Sequence, residues 1–134
     1  ELKCTTYIGG FQVNGVIDRV EKTPEGEYVV VDYKTGKGKT KVDAVNSPQL
    51  NLYAHALKEN PDYGKYPIKA MFFFVEKPEE TRFAEYEVDP AKVDEIKGIL
   101  EGYVKAIEDK EFVPTPGMYT CQWCQYSDIC EEAE

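Results

Sequence analysis

The sequence predicts an α/β domain: a mixed central sheet with an antiparallel meander, flanked by helices and followed by a short cysteine-rich tail. Three observations lead there. Three β-type runs open the chain, separated only by turn residues. Two stretches of helical apolar spacing then alternate with two further strand-like runs. Three of the four cysteines fall between positions 121 and 130, after the last periodic segment.

Residues 2–8 read as a first strand, and Gly9-Gly10 is a two-residue hairpin signal. Residues 11–20 read as a second strand. Pro24 and Gly26 mark the next turn, and residues 28–34 form a third strand. Val29, Val30 and Val31 make that strand apolar on both faces, as expected near a sheet centre. Residues 35–46 read as a polar loop. Ser47-Pro48 supplies an N-cap and a proline at the first helical position, starting a helix that runs to about Asn60. Residues 68–75 and 81–88 read as strands four and five. Asp89-Pro90 repeats the cap signal, and Val93, Ile96, Leu100, Tyr103, Val104 and Ile107 give the second helix an apolar face. Met71 to Phe74 reads as core.

The 134 residues suit one domain with a moderate core. Neither a membrane-spanning apolar run nor a secretory leader is visible, and the start at Glu1 reads as the inside of a longer protein. A net charge of -9 argues against indiscriminate coating of nucleic acid. Lys37, Lys39 and Lys41 nevertheless form a local basic run, able to meet phosphates or simply to be solvated. The clustered cysteines without a leader favour a shared metal or iron–sulfur centre over disulfides.

Asp18 ends one apolar strand, while Asp32 and Lys34 end another. Side chains alternate along a strand, so Asp32 and Lys34 share a face, and hairpin pairing sets Asp18 roughly opposite Asp32. Two carboxylates converging in this way suit a hard divalent cation. The backbone carbonyl of Tyr33 is a further candidate oxygen ligand, and Lys34 could orient a metal-activated water. The plainer alternative is a cross-strand ion pair. On the first helix Gln49 and Tyr53, spaced i to i+4, fall within the apolar stripe. Asn51, His55 and Lys58 fall on the other side, so His55 reads as a surface residue.

Taken in order, Gly15-Val16-Ile17-Asp18-Arg19, Val31-Asp32-Tyr33-Lys34-Thr35-Gly36 and Gln49-Leu50-Asn51-Leu52-Tyr53-Ala54 resemble the core motifs of RecB-like nucleases in the PD-(D/E)XK superfamily. The resemblance covers roughly residues 1 to 60 and extends to the tail. It implies a restriction-endonuclease-like core, residues 1–112, lacking the family's first helix. It implies metal-dependent cleavage of DNA, exonuclease in style, in repair, recombination or CRISPR settings. Asp18 and Asp32 become ligands of magnesium or manganese, Lys34 the catalytic lysine, and Gln49 and Tyr53 the substrate-contacting or site-ordering pair. Lys37 and Lys39 would meet DNA.

The tail, residues 113–134, carries a Cys-x2-Cys-x5-Cys pattern at Cys121, Cys124 and Cys130. It resembles the iron–sulfur staple of AddB-type and CRISPR-associated RecB-like exonucleases. That implies a 4Fe-4S cluster, with Cys4 as candidate fourth ligand, although the family's fourth cysteine usually precedes the first strand. The missing helix usually brings a His or Glu to the metal, so this stretch alone is incomplete by the same resemblance. The resemblance also points to a helicase, a CRISPR adaptation protein or the upstream part of the parent as partners, and to the cytoplasm or nucleoid as location. Two alternatives stay open: a DNA-binding module of this fold without catalysis, and a structural zinc domain in which the Asp/Lys set is merely ionic.

Overall fold

The computed structural model describes residues 1–36 and 38–133. Its contacts divide the chain into two units, Glu1–Val104 and Lys105–Glu134.

In the first unit, β1 (Leu2–Ile8) and β2 (Phe11–Ile17) form an antiparallel hairpin closed by Gly9 and Gly10, both at positive φ. A second sheet has the order β3 (Arg19–Lys22), β4 (Tyr28–Lys34), β5 (Lys69–Phe74), β6 (Phe83–Glu87). Only β4 and β5 run parallel, with α1 (Lys41–Val45) and α2 (Pro48–Glu59) in the crossover between them. The second long helix, α3, spans Pro90–Glu108. The mixed α/β architecture with an antiparallel meander is therefore present, and β4 lies inside its sheet as its three valines require.

Three local features differ from expectation. The second strand is broken at Asp18, so the meander is shared between two sheets. The physical reason is that Asp18 Oδ2 accepts the Tyr33 N–H at 2.8 Å, taking the place that a carbonyl of an uninterrupted strand would fill. The polar loop contains α1, closed by a Thr40/Asp43 capping box. The box uses Asp where Glu or Gln is usual, which hid the start signal. The apolar stripe of α3 is only partly used: Val93 and Ile96 are buried, whereas Tyr103 and Ile107 are exposed.

Helix α2 lies against β1, β4 and β5, and α1 against β5 and β6. Val30, Ala70, Phe72, Phe74, Ala84 and Tyr86 alternate onto the helix-covered face of the sheet and meet Leu50 and Leu57 in one core. Each of those leucines contributes about 1.5–3 kcal/mol through removal from water.

The polar side of α2 is not a surface. Asn51 is 1% exposed and His55 7%. Asn51 is fully engaged: its amide donates to the Val45 and Ser47 carbonyls, and its oxygen accepts from the Tyr86 hydroxyl at 3.0 Å. Two-sided packing overrides the wheel, so His55 is corrected from surface to buried. Burial, and next the charge of Lys97, lower the His55 pKa from its ordinary 6.5; Lys58 adds to this, while Glu59 and Asp94 oppose it.

A base whose pKa falls on folding stays neutral in the native state while the unfolded chain takes up the proton. Its stabilising contribution is complete above the unfolded value and fades as pH falls below it. The melting temperature should therefore drop on acidification from about pH 7.5 to about pH 5.5, and His55→Gln should flatten that slope in a thermal melt series.

Candidate active site at the end of β4

The hairpin register pairs Arg19 with Val31 through Lys22 with Tyr28. One step further along lies Asp18, whose carboxylate accepts the Tyr33 N–H and whose charge acts on Asp32. Asp32 belongs to the helix-covered face and is only 2% exposed. Lys34, two residues on, shares that face and brings its ammonium 2.6 Å from Asp32 Oδ2. The helix above closes the group. Ser47 caps α2 by accepting the Leu50 N–H, and Pro48 occupies its first turn. This start aims Gln49 at the end of β4.

Gln49 is held at three points. Its Oε1 accepts from Lys34 Nζ at 2.9 Å, and its Nε2 donates to Asp32 Oδ1 and to the Tyr53 hydroxyl, each at 3.0 Å. Tyr53 in turn donates to the Val16 carbonyl at 2.8 Å. The i to i+4 pair thus ties β2, β4 and α2 together around one carboxylate. Phe72 forms the floor, with Lys34 Nζ 5.4 Å and Lys39 Nζ 4.8 Å from its ring centroid.

Asp32, Asp18, Lys34, Gln49 and Tyr53 are thus brought together, and Lys39 reaches the same side. Lys37 lies outside the described residues. The side chain of Tyr33 turns to the other face, edge-on to Phe73, and its hydroxyl accepts from Arg19. Arg19 also pairs with Glu21 at 2.7 Å on the surface. The role of Phe72 was missed because it read only as core; its place opposite Asp32 across the parallel pair was the available signal.

The electrostatics are unbalanced. Burial raises the Asp32 pKa, the Asp18 charge adds to that, and the hydrogen-bonding and charge effects of Lys34 oppose it. Burial likewise raises the Tyr53 pKa. Asp32 Oδ2 is buried, and its partner there is the Lys34 ammonium at 2.6 Å. This carboxylate has one lysine in contact with it. Together with Asp18 it leaves an all-oxygen donor pair short of positive charge, which fits a hard divalent cation. Among the described residues no group of three or more His, Cys, Asp or Glu side chains gathers for a metal.

In the second unit, Cys121, Cys124 and Cys130 line one pocket of about 650 Å³ with Phe112 and Pro114. Cys121 Sγ accepts the Gly117 N–H, and Cys124 Sγ accepts the Tyr126 N–H. Cys4 instead packs in the core of the first unit; its thiol donates to the Gly15 carbonyl at 3.5 Å, and burial raises its pKa.

The family model for the PD-(D/E)XK nuclease superfamily matches residues 1–131. The chain belongs to the PD-(D/E)XK nuclease superfamily. Members of that superfamily are generally metal-dependent nucleases. No curated protein matches the chain. Among solved structures, the crystal structure of SSO0001 is similar over 96% of this chain, at 19% identity and a TM-score of 0.52. The match spans 57% of that chain, and at this identity it speaks for the fold alone. The mixed sheet flanked by helices is consistent with the restriction-endonuclease-like fold of the PD-(D/E)XK superfamily.

Tyr53→Phe should cost about 1–2 kcal/mol in urea unfolding, since it frees one Gln49 N–H and the Val16 carbonyl together. A variant as stable as the parent would show that this hydroxyl does not brace the site.

Proposed function

We propose that this chain carries the catalytic core of a DNA exonuclease, with Asp18 and Asp32 holding magnesium or manganese and Lys34 acting on the attacking water. The observation that carries the reading is Asp32: a buried carboxylate, raised in pKa, beside a second acid and a single ammonium. The backbone carbonyl of Tyr33 is a third oxygen candidate. A bound divalent cation supplies a water of lowered pKa and polarises the phosphate.

The side chains do the rest. Gln49 holds the Lys34 ammonium and the Asp32 carboxylate in one relative position, so that neither must reorganise when substrate arrives. Lys34 orients the water and offsets charge developing on the phosphate oxygens. Tyr53 braces Gln49. Lys39, over Phe72, meets a neighbouring phosphate, and Lys37 of the same loop does so in this reading.

The tail cysteines Cys121, Cys124 and Cys130 hold a 4Fe-4S cluster in the same proposal. Two of their sulfurs already accept backbone N–H groups, the kind of contact that tunes such clusters. Cys4 keeps its place in the core and is not a ligand in this reading. The exonuclease mode, the repair or CRISPR setting and a helicase or CRISPR adaptation partner rest on the motif resemblance.

Asp32→Asn keeps shape and the Gln49 contact but weakens the metal site. It should lower magnesium- or manganese-dependent cleavage of linear DNA by several kcal/mol in the transition state, about a thousandfold in rate. Full activity in that variant, or cleavage undiminished in a chelator, sinks the metal site; efficient cutting of closed circular DNA sinks the exonuclease mode. Separately, Cys124→Ser should remove iron and the brown colour from protein purified without oxygen. Zinc without iron in the parent protein would reassign the tail to a structural zinc site.

A further inference from the structure

On the far side of α2 from the core, β1, α2 and α3 enclose a second polar cleft of about 460 Å³. Nothing above uses it. Two of its lining residues are buried and unsatisfied. His55 Nδ1 and Thr6 Oγ1 have no hydrogen-bond partner among the described residues. Buried polar atoms of this kind cost free energy unless a ligand or water completes them.

Charges of both signs surround it. Lys97 forms no ion pair among the described residues. Lys58 has only a loose contact with Glu59 at 3.5 Å and lies over the Tyr66 ring at 5.3 Å. Asp94 also faces the cleft. At the imidazole the lysines nevertheless dominate: among the charges acting on His55, Lys97 has the largest effect, ahead of Glu59, and Lys58 exceeds Asp94. Two lysines, Lys58 and Lys97, and two acids, Glu59 and Asp94, thus line the cleft.

Thr6 lines this cleft and also the neighbouring groove formed by Cys4, Gln49 and Tyr53. The two depressions therefore adjoin along α2. His55 is six residues beyond Gln49, about 9 Å along the helix axis.

We propose that this cleft is a phosphate subsite, formed by Lys97, Lys58, His55 and Thr6, that takes a phosphate of the nucleic-acid strand beyond the one at Asp32. The lysines supply charge, and Thr6 and His55 supply hydrogen bonds. Assignment to the nucleic-acid strand rests on the nuclease reading above; the phosphate chemistry does not.

Because His55 is the sole histidine, its imidazole carbon signals report this cleft without assignment ambiguity. The full chain, free of divalent metal, is titrated with inorganic phosphate and with a short single-stranded oligonucleotide while those signals are followed. Saturable shifts with both probes are expected. Lys97→Ala should weaken the apparent affinity for each by about tenfold or more, with the fold intact by circular dichroism. Asp32→Asn should leave the response to inorganic phosphate in place, which separates this subsite from the cleavage centre. A response to phosphate but not to oligonucleotide overturns the strand path and leaves a free-phosphate site. No response to either probe, or one that Lys97→Ala and Lys58→Ala both leave unchanged, overturns the proposal, whatever the cleavage assay gives.

Discussion

A single carboxylate is carried indoors by a strand that has every other reason to be apolar. Val30 and Val31 precede Asp32, Phe72 pairs with it across the sheet, and α2 closes above it. Moving an isolated ionised carboxylate into such surroundings costs several kcal/mol even after relaxation, more than the contribution of any one core side chain nearby. The neighbouring polar architecture is arranged as compensation. Lys34 supplies the nearest positive charge, Gln49 binds the other carboxylate oxygen, and Tyr53 fixes Gln49. Burial raises the Asp32 pKa even with these partners in place, and Lys34 opposes that rise. An arrangement selected for stability alone would do better with a hydrophobic residue at this position.

The break at Asp18 follows from the same requirement. An uninterrupted second strand would satisfy the Tyr33 amide with a backbone carbonyl. The observed structure uses the Asp18 side chain instead, which fixes its carboxylate at the end of β4 beside Asp32. The divided meander and the clustering of acids are thus one structural event. The crossover serves it too: β4 and β5 run parallel, so the chain must return over the sheet, and that return is α2 with Gln49 in its first turn.

How much of this could be read in advance depended on periodicity. The strands at the start of the chain, the capped start of α2 and the shared face of Asp32 and Lys34 follow from alternation and turn chemistry, and the structure has them. Gln49 and Tyr53 were legible as a polar pair in an apolar stripe. What periodicity could not carry was burial from a second side. Asn51 and His55 belong to the polar flank of an isolated α2; they are buried because the helix is packed on more than one flank, and no local pattern encodes that. The α1 helix escaped for a different reason, its Asp-containing capping box being a weaker signal in a lysine-rich loop. Residues 1–36 therefore revealed the chemistry better than the stretch that completes it.

Acidity overall and phosphate chemistry locally are compatible here because the cations are placed rather than numerous. Exposed charges farther apart than a Debye length, about 10 Å at 0.1 M salt, scarcely feel one another, so a net charge of -9 spread over the surface does not repel a strand from a given point. What acts there is the near field. At the end of β4 two lysines stand over Phe72, 5.4 Å and 4.8 Å from its ring centroid. The acids of the same spot are the pair with the electrostatic deficit, so a cation between them would turn local repulsion into attraction for phosphate. In the proposed reading a phosphodiester would gain where lysines stand close to its path, at the end of β4 and at the second cleft, rather than over the surface at large. Acidity of this kind favours a single productive register over diffuse binding, which is the reverse of how a basic coat protein holds nucleic acid.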